Sequence, residues 1–149
     1  IKSVLPDAFI GVDIIVGTRG ELDQYFEESK SLVEELDISQ LHVFTYSERA
    51  NTQALAIDYA VDPLTKQRRS KALHDISDIK LRNFYEAQKG SERKVLFELT
   101  RRGNMMHGFT ENYIKICAPY NPELINNVVD IKVGEYNEDE MAMNAIFIE

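Results

Sequence analysis

The chain has 149 residues, of which 44% are hydrophobic, and it carries a formal net charge of -8. This length allows one medium-sized domain or two small ones, and the acidic balance means that any binding of nucleic acid depends on a local basic patch. The single cysteine, Cys117, excludes an internal disulfide and a cysteine-only metal or cluster site within this chain. With no apolar run near the ~18 residues of a membrane span and no recognisable signal peptide, we expect a cytoplasmic protein without a membrane partner.

The first predicted element is a strand that ends in a glycine-rich turn. Residues 10–21 read IGVDIIVGTRGE, and a short Ile- and Val-rich run bounded by glycines is typical of a buried parallel strand. Gly17 and Gly20 let the backbone turn sharply and approach a ligand closely, because neither carries a Cβ. Ligands of α/β folds bind at such turns, so this one is a candidate site, although a plain strand–helix unit explains the pattern equally well.

A helix and a second strand follow this turn. Apolar residues at helical spacing predict a helix over residues 21–36, and Thr18 with Glu21 matches a capping box. Residues 41–46, LHVFTY, are rich in β-branched and aromatic side chains and predict a strand. Two strands joined by a helix imply a parallel pair with a right-handed crossover. Arg49 lies just beyond the second strand, where it could hold a carboxylate or phosphate or form only a surface salt bridge.

A long helix with a basic beginning comes next. Pro63 and Gly90 bracket a predicted helix over residues 64–89, since Pro suits a helix start and Gly a helix end. The residues that mark its buried side are Leu73, Ile76, Ile79 and Phe84. Its first turns carry the most basic window of the chain, which includes Lys66, Arg68, Arg69 and Lys71. This window is either a solvated face or a contact with RNA phosphates.

From residue 91 the pattern changes to short β-prone runs separated by turns. The predicted strands are residues 94–99, 112–118, 128–133 and 142–148. Several short strands at this spacing predict a small closed barrel, so we place a domain boundary near residue 90. Barrels of this size bind single-stranded nucleic acid by base stacking and phosphate contacts. Arg101, Arg102 and Tyr113 could supply such contacts, although turn charges and core aromatics explain them equally well.

Several segments, taken in order, resemble one protein family. These segments are VDIIVGTRGE, LHVFTYSERANT, the basic helix, VLFE, HGFTENYIKI and the final strand. Together they resemble the carboxyl half of the radical-SAM tRNA methylthiotransferases of the MiaB and MtaB type, with the MtaB-like branch closest. The resemblance implies an α/β plus all-β fold. Residues 1–90 would be the last βα units of a radical-SAM partial TIM barrel, and residues 91–149 a TRAM domain, an OB-like β-barrel that binds RNA.

The resemblance also implies a reaction and its cofactors. The family enzyme adds a 2-methylthio group to a modified adenosine, here N6-threonylcarbamoyladenosine at position 37 in the anticodon loop of tRNA. It uses S-adenosylmethionine, two [4Fe-4S] clusters and a sulfur donor. The family's cluster cysteines have no counterpart in this chain, so we expect neither catalytic nor metal-binding residues here and no activity from this chain alone. Because the chain has no initiator Met and opens in mid-pattern, we expect a fragment that self-associates through an exposed barrel edge near residues 10–16.

Site residues are carried over from the family motifs position by position. The implied cofactor-binding residues are Asp13, Ile15, Gly17, Phe44, Tyr46, Ser47 and Arg49. The expected RNA-binding residues are Arg68, Arg69, Lys71, Arg101, Arg102 and Tyr113. This sequence departs from the family pattern at two places: Arg19 stands where Pro is common, and Ala50-Asn51 stands where the family has Pro-Gly. Asn51 can still adopt the left-handed conformation that such a turn needs.

Three other interpretations remain open at this point. The chain could belong to an isopentenyladenosine-type tRNA methylthiotransferase, to a ribosomal-protein methylthiotransferase, or to a non-catalytic RNA-binding module. A Cys-x-x-x-Cys-x-x-Cys loop upstream would distinguish an enzyme from a binding module. The basic helix argues against a ribosomal-protein substrate, because clustered cations favour phosphate.

Overall fold

The computed structural model describes residues 1–148, with the side chains of Thr100 and Arg101 outside the described part. The helices and strands, in chain order, are β1 Gly11–Val16, α1 Asp23–Glu35, β2 Gln40–Thr45, α2 Pro63–Ala87, β3 Glu92–Arg102, β4 Met105–Thr110, β5 Lys115–Pro119, β6 Val128–Asn137 and β7 Ala142–Phe147. The chain forms two compact units: one is Ile10–Leu81, and the other combines Ile1–Phe9 with the residues from Arg82 onward. In the described part of the chain, no helix has the length and apolar character needed to cross a membrane.

The unit Ile10–Leu81 is built on a two-stranded parallel sheet, which confirms the predicted pair. β1 and β2 run in register from Gly11 opposite Gln40 to Val16 opposite Thr45. Alternate side chains of a strand point to opposite faces, so each strand turns one set of residues toward the helices. The buried core on that side consists of Val16, Phe26, Val33, Leu41 and Leu73.

The start of α1 differs from the prediction. The helix begins at Asp23 with Leu22 in the N-cap position, and no side chain caps it. The predicted capping box at Thr18 and Glu21 is therefore wrong. The carboxylate of Glu21 instead accepts a hydrogen bond from the backbone N–H of Gly17 at 2.8 Å, inside the turn.

Helix α2 begins and ends within two residues of the predicted bounds, and three of the four residues predicted for its buried side lie inward: Leu73 and Phe84 are buried, and Ile76 packs against the core. Its start is capped by Asp62, whose Oδ1 accepts a hydrogen bond from the backbone N–H of Thr65 at 3.0 Å. The prediction that Ile79 is buried is wrong, because this side chain is 61% exposed. Ser77 is buried instead, and its hydroxyl bonds both the N–H and the carbonyl of Leu41, at 3.0 and 2.9 Å. A polar residue thus takes a core position because it satisfies backbone groups of β2.

The second unit contains a closed five-stranded barrel, which confirms the predicted small barrel. The strand order is β3-β4-β5-β7-β6, and β5 with β7 is the parallel pair among otherwise antiparallel neighbours. The predicted strands omit β4, whose sequence MMHGFT contains Gly108. A Cβ on Gly108 would collide with the carbonyl oxygen of Leu96. Glycine is therefore needed where β4 passes close to β3, and this glycine disguised the strand in the sequence.

Candidate functional site

One face of the β1–β2 sheet is open, and it carries three of the predicted cofactor residues. Asp13, Ile15 and Phe44 all lie on this face, with Ile15 directly opposite Phe44 in the register. Ile15 is 56% exposed and Phe44 is 53% exposed. Large apolar side chains side by side on an open strand face form a surface that a ligand or another chain segment can cover. Asp13 is exposed on the same face, so burial does not destabilise its charge.

The turn after β1 brings Gly17, Tyr46 and a lysine from α2 together. Gly17 and Gly20 have φ of 79° and 81°, and the backbone N–H of Tyr46 bonds the carbonyl of Val16 at 2.9 Å. A Cβ on Gly17 would lie 2.5 Å from Cγ of Lys66. The Lys66 ammonium donates to the carbonyl of Tyr46 at 3.2 Å and lies 5.2 Å from the centre of its ring. Lys66 is a residue of this site that the sequence pattern did not identify, although its position in the first turn of the helix after β2 could have indicated it.

The turn is held by an ion-pair cluster centred on Arg69. The guanidinium lies 2.5 Å from Oε2 of Glu21 and 2.6 Å from Oδ1 of Asp23, and it also donates to the Glu21 carbonyl at 2.9 Å. Only 1% of the Arg69 side chain is exposed. Since the same Glu21 oxygen accepts from Gly17, the cluster connects α2 directly to the turn. Arg69 therefore braces the turn, and its guanidinium is not available to RNA phosphates as the sequence had suggested.

Two further charged residues lie beyond the strand ends. The Nε of Arg19 is 2.7 Å from Oε1 of Glu48, and its Nη1 donates to the carbonyl of Ile57 at 2.9 Å. The hydrogen bond from Arg19 holds the pKa of the Glu48 carboxyl below its ordinary value. Arg49 is exposed and makes no side-chain hydrogen bond or ion pair within the described residues. Arg49 is thus a cation at the strand ends that a ligand can still bind.

The residues next to these cations have the predicted local structure. Ser47 is exposed, two residues beyond the end of β2. Asn51 has a φ of 62°, the left-handed conformation expected of it. The hydroxyl of Thr52 closes the turn by donating to the carbonyl of Arg49 at 2.9 Å.

On α2 the remaining predicted RNA contacts are exposed. The Arg68 side chain is 72% exposed and lies 3.8 Å from Oδ1 of Asp23. Lys71 is 74% exposed and pairs with Asp75 one turn later, at 2.7 Å. Exposed pairs of this kind contribute little to stability, so both cations can exchange these partners for phosphate.

In the barrel unit, the predicted RNA contacts lie at the end of β3 and on the loop between β4 and β5. Arg102 is exposed at the end of β3, beside the turn at Gly103. The side chain of Arg101 lies outside the described residues. Tyr113 is 65% exposed, and its ring centre is 5.7 Å from that of Phe9 and 6.2 Å from that of Phe109.

The barrel also contains polar side chains that the sequence did not single out. Nε2 of His107 lies 2.9 Å from Oε2 of Glu140, and the Cys117 thiol lies 3.4 Å from Oδ1 of Asn144. Burial raises the pKa of the Cys117 thiol to about 11, so it stays protonated at neutral pH. Among the described residues, no three or more His, Cys, Asp or Glu side chains are placed to hold a metal ion.

Comparison with known proteins finds relatives whose names identify them as tRNA-modifying enzymes. No protein-family model matches it. It is 30% identical over 148 residues to threonylcarbamoyladenosine tRNA methylthiotransferase MtaB of Bacillus subtilis, a match covering 94% of the chain and 33% of that protein. MtaB of Thermotoga maritima is 33% identical over 138 residues, covering 92% of the chain and 29% of that protein. The tRNA-2-methylthio-N(6)-dimethylallyladenosine synthase of Symbiobacterium thermophilum is 32% identical over 135 residues, covering 89% of the chain and 29% of that protein.

These matches take in both compact units, since they cover 89% to 94% of the chain. The chain in turn spans only 29% to 33%, about a third, of the length of these curated relatives. Relatives of the threonylcarbamoyladenosine and dimethylallyladenosine types match it at nearly equal identity, 30% to 33%. Over the region that it shares with them, the chain belongs to the family of the MtaB- and MiaB-type tRNA methylthiotransferases.

Proposed function

We propose that this chain is the carboxyl-terminal part of a radical-SAM methylthiotransferase that adds a 2-methylthio group to N6-threonylcarbamoyladenosine at position 37 of tRNA. The observation that carries the proposal is the match of nearly the whole chain to MtaB of Bacillus subtilis, at 94% coverage. The geometry supports it, because Asp13, Ile15 and Phe44, three of the residues that the resemblance implies for the cofactor, lie together on one open face.

This open face suits the adenosyl part of S-adenosylmethionine. Ile15 and Phe44 supply an exposed apolar surface for a flat base, and the backbone at Gly17 reaches the edge of that surface. Asp13 and Arg49 offer opposite charges for the polar ends of the same molecule. When bound, S-adenosylmethionine supplies the methyl group and the radical chemistry of the family. The residues of this chain would orient it and exclude water.

The iron–sulfur clusters do not fit any residues of this chain. Its single cysteine, Cys117, is buried in the barrel beside Asn144. In this proposal other segments of the full-length enzyme hold both clusters and bind the sulfur donor, so this chain alone is inactive.

Recognition of tRNA would use the exposed cations. Arg68 and Lys71 on α2 and Arg102 at the end of β3 are exposed, and each can contact a phosphate of the anticodon arm. Tyr113 would stack on a base. Arg69 is left out of this surface because it is 1% exposed and holds Glu21 and Asp23.

The second candidate is the dimethylallyladenosine-type reaction. It is favoured by the 32% identity to the synthase of Symbiobacterium thermophilum, which lies between the values for the two MtaB proteins. Both candidates place the methylthio group on an adenosine of tRNA. They differ in the group already attached to that base.

Mass spectrometry of tRNA nucleosides from cells that lack the gene tests the proposal. We expect the 2-methylthio group to disappear from threonylcarbamoyladenosine and to return when the full-length gene is restored. Its loss from isopentenyladenosine, another name for the dimethylallyl nucleoside, would establish the second candidate instead. If both methylthio nucleosides persist, the tRNA assignment is overturned and the ribosomal-protein interpretation replaces it.

A further inference from the structure

The barrel unit has a pocket of about 500 Å³ outside the sheet site described above. It lies between residues 5–9 and the loop that joins β4 to β5. One wall is aromatic and the other is polar, a division typical of small-ligand sites. The residues of the pocket that carry the argument are Asp7, Phe9, Arg93, Glu111, Asn112 and Tyr113.

Tyr113 forms the aromatic wall and is held in a costly conformation. Its φ of 64° lies in the left-handed region, which a bulky side chain rarely adopts. The turn holds it there through its N–H, which donates to the carbonyl of Thr110 at 3.0 Å. The ring rests on Phe9, with centres 5.7 Å apart and planes 34° apart. The chain therefore presents a fixed aromatic face that is 65% exposed.

Most side-chain donors of the polar wall are already engaged, and the Nε of Arg93, which has no partner among the described residues, is buried out of reach of a ligand. Nη2 of Arg93 lies 2.6 Å from Oδ2 of Asp7 and 2.6 Å from Oε1 of Gln88. The amide of Asn112 donates to the carbonyl of Asp7 at 3.1 Å and to Gln88 at 3.3 Å. A ligand therefore meets side-chain acceptors here more readily than side-chain donors.

Glu111 is the acceptor best placed to receive a ligand. Both carboxylate oxygens of Asp7 already accept side-chain hydrogen bonds, from Arg93 and Gln88. Glu111 is 52% exposed, and its Oε1 lies 3.6 Å from Nη1 of Arg93, a distance too long for a hydrogen bond. Its Oε2 accepts one backbone N–H, from Lys94 at 3.1 Å. Lone pairs on both Glu111 oxygens thus remain for donors that a ligand brings.

The charge of the wall narrows the class of ligand. Among the residues that line the pocket, the two carboxylates of Asp7 and Glu111 outnumber the one cation, Arg93, so the wall disfavours phosphate. Nη1 of Arg93 lies 3.6 Å from Oε1 of Glu111, so a cationic side chain that approached this carboxylate would be repelled by the guanidinium. A neutral, flat group with two adjacent N–H donors satisfies the aromatic face and the carboxylate together. Guanine has this pattern in its N1–H and N2–H groups.

We infer that this pocket binds an unpaired guanine of RNA, stacked on Tyr113, with its N1–H and N2–H donating to the carboxylate of Glu111. The inference rests on the proposed function, because it takes RNA as the ligand of the barrel unit. It adds a base-specific contact to a surface for which the sequence suggested only phosphate contacts and stacking.

Fluorescence anisotropy with the full chain and labelled RNA pentamers tests this inference. The probes are UUGUU, UUAUU and UUIUU, where inosine lacks the N2 amino group of guanine. We expect UUGUU to bind about tenfold more tightly than UUAUU, as a two-hydrogen-bond contact allows, with UUIUU between them. Glu111→Gln should remove this preference. The matched control Glu123→Gln, an exposed residue outside the pocket, should retain it.

A second pair of variants tests the stacking wall. Tyr113→Asn keeps a residue that tolerates a positive φ but removes the ring, and it should weaken every pentamer about tenfold. Tyr113→Phe should bind as the wild type does, and equal melting temperatures would show that both variants fold. Equal binding of UUGUU and UUAUU, or displacement of RNA by an arginyl tripeptide at equal concentration, would overturn the guanine site. Neither result would contradict the proposed function, because that function is tested separately by mass spectrometry of cellular tRNA nucleosides.

Discussion

At the scale of single residues, Gly17 links the conformation of the turn to its packing. Its φ of 79° favours glycine, and the stem of Lys66 fills the space that a Cβ would occupy. Its N–H is held by Glu21, whose carboxylate is held in turn by Arg69. One position thus sets the path of the backbone at the candidate cofactor site.

Replacing Gly17 with Ala should therefore destabilise the chain in two ways. We expect a loss of about 1–3 kcal/mol in the free energy of unfolding, from the positive φ together with the clash with Lys66. Gly103→Ala is the control, because Gly103 also has a positive φ, 58°, but nothing lies within 4 Å of the point that its Cβ would occupy. Urea denaturation measures both variants. In a Lys66→Ala background the Gly17→Ala cost should fall to that of Gly103→Ala, and an unchanged cost would refute the packing argument.

The buried thiol of Cys117 predicts a pH effect on stability. Its pKa is raised to about 11 in the folded chain, so above the ordinary thiol pKa of about 8.5 the unfolded chain binds fewer protons. Stability should then fall as the pH rises from about 9 to about 11, by about 1–3 kcal/mol more than in Cys117→Ala. Tyr85, whose pKa burial also raises, is present in both proteins, so its contribution cancels. Parallel stability curves for the two proteins would contradict the prediction.

At the scale of elements, the sequence predicted the helices and strands in which the spacing of apolar residues is uninterrupted. β1, β2, both helices and the barrel class follow from apolar spacing and from Gly and Pro positions. The sequence did not predict β4 because Gly108 interrupts the β-prone pattern. The reason for a glycine at this position becomes visible only when β3 is packed against β4. Ser77 in the core and Arg69 against two carboxylates could not be predicted, because their partners lie 36 to 48 residues away in the sequence.

Neighbouring arginines on α2 should therefore behave differently. Arg69→Met should lower the free energy of unfolding by about 2–4 kcal/mol, since it leaves Glu21 without its cation. Arg68→Met, at a side chain that is 72% exposed, should change it by less than about 0.5 kcal/mol. Thermal or urea unfolding measures the free energy of unfolding of both variants. Equal losses of stability in the two would contradict the structural role of Arg69.

The exposed cations on the same helix should affect tRNA binding and leave folding unchanged. Alanine at Arg68 and Lys71 together should weaken binding and lower the slope of log affinity against log salt by about 0.7–0.9 for each lost phosphate contact. Filter binding at several salt concentrations measures the slope. A slope identical to that of the wild type would exclude these residues from the RNA surface.

At the scale of the whole molecule, the chain combines a sheet unit and a barrel unit with different surfaces. The barrel closes on itself and so has no free sheet edge, whereas β1 pairs only with β2 among the described strands. Ile15 and Phe44 remain exposed beside that edge. Unpaired strand edges and apolar faces favour association with another chain.

We therefore expect the isolated chain to self-associate through residues 10–16. Sedimentation velocity over a wide concentration range should show species larger than a monomer. Ile15→Glu should shift them toward monomer, because a charge disfavours burial of this face. Ile79→Glu should not shift them, although Ile79 is also exposed, at 61%. A wild-type chain that stays monomeric throughout would contradict the expectation.

The same pair of substitutions gives the most direct measurement of the central claim, that the open sheet face serves a tRNA methylthiotransferase. Full-length genes carrying Ile15→Glu or Ile79→Glu are returned to cells that lack the gene, and their tRNA nucleosides are analysed by mass spectrometry at matched protein levels. We predict that Ile79→Glu restores 2-methylthio-threonylcarbamoyladenosine and that Ile15→Glu restores less than about a tenth of it. Full restoration by Ile15→Glu would contradict the assignment of this face to the cofactor.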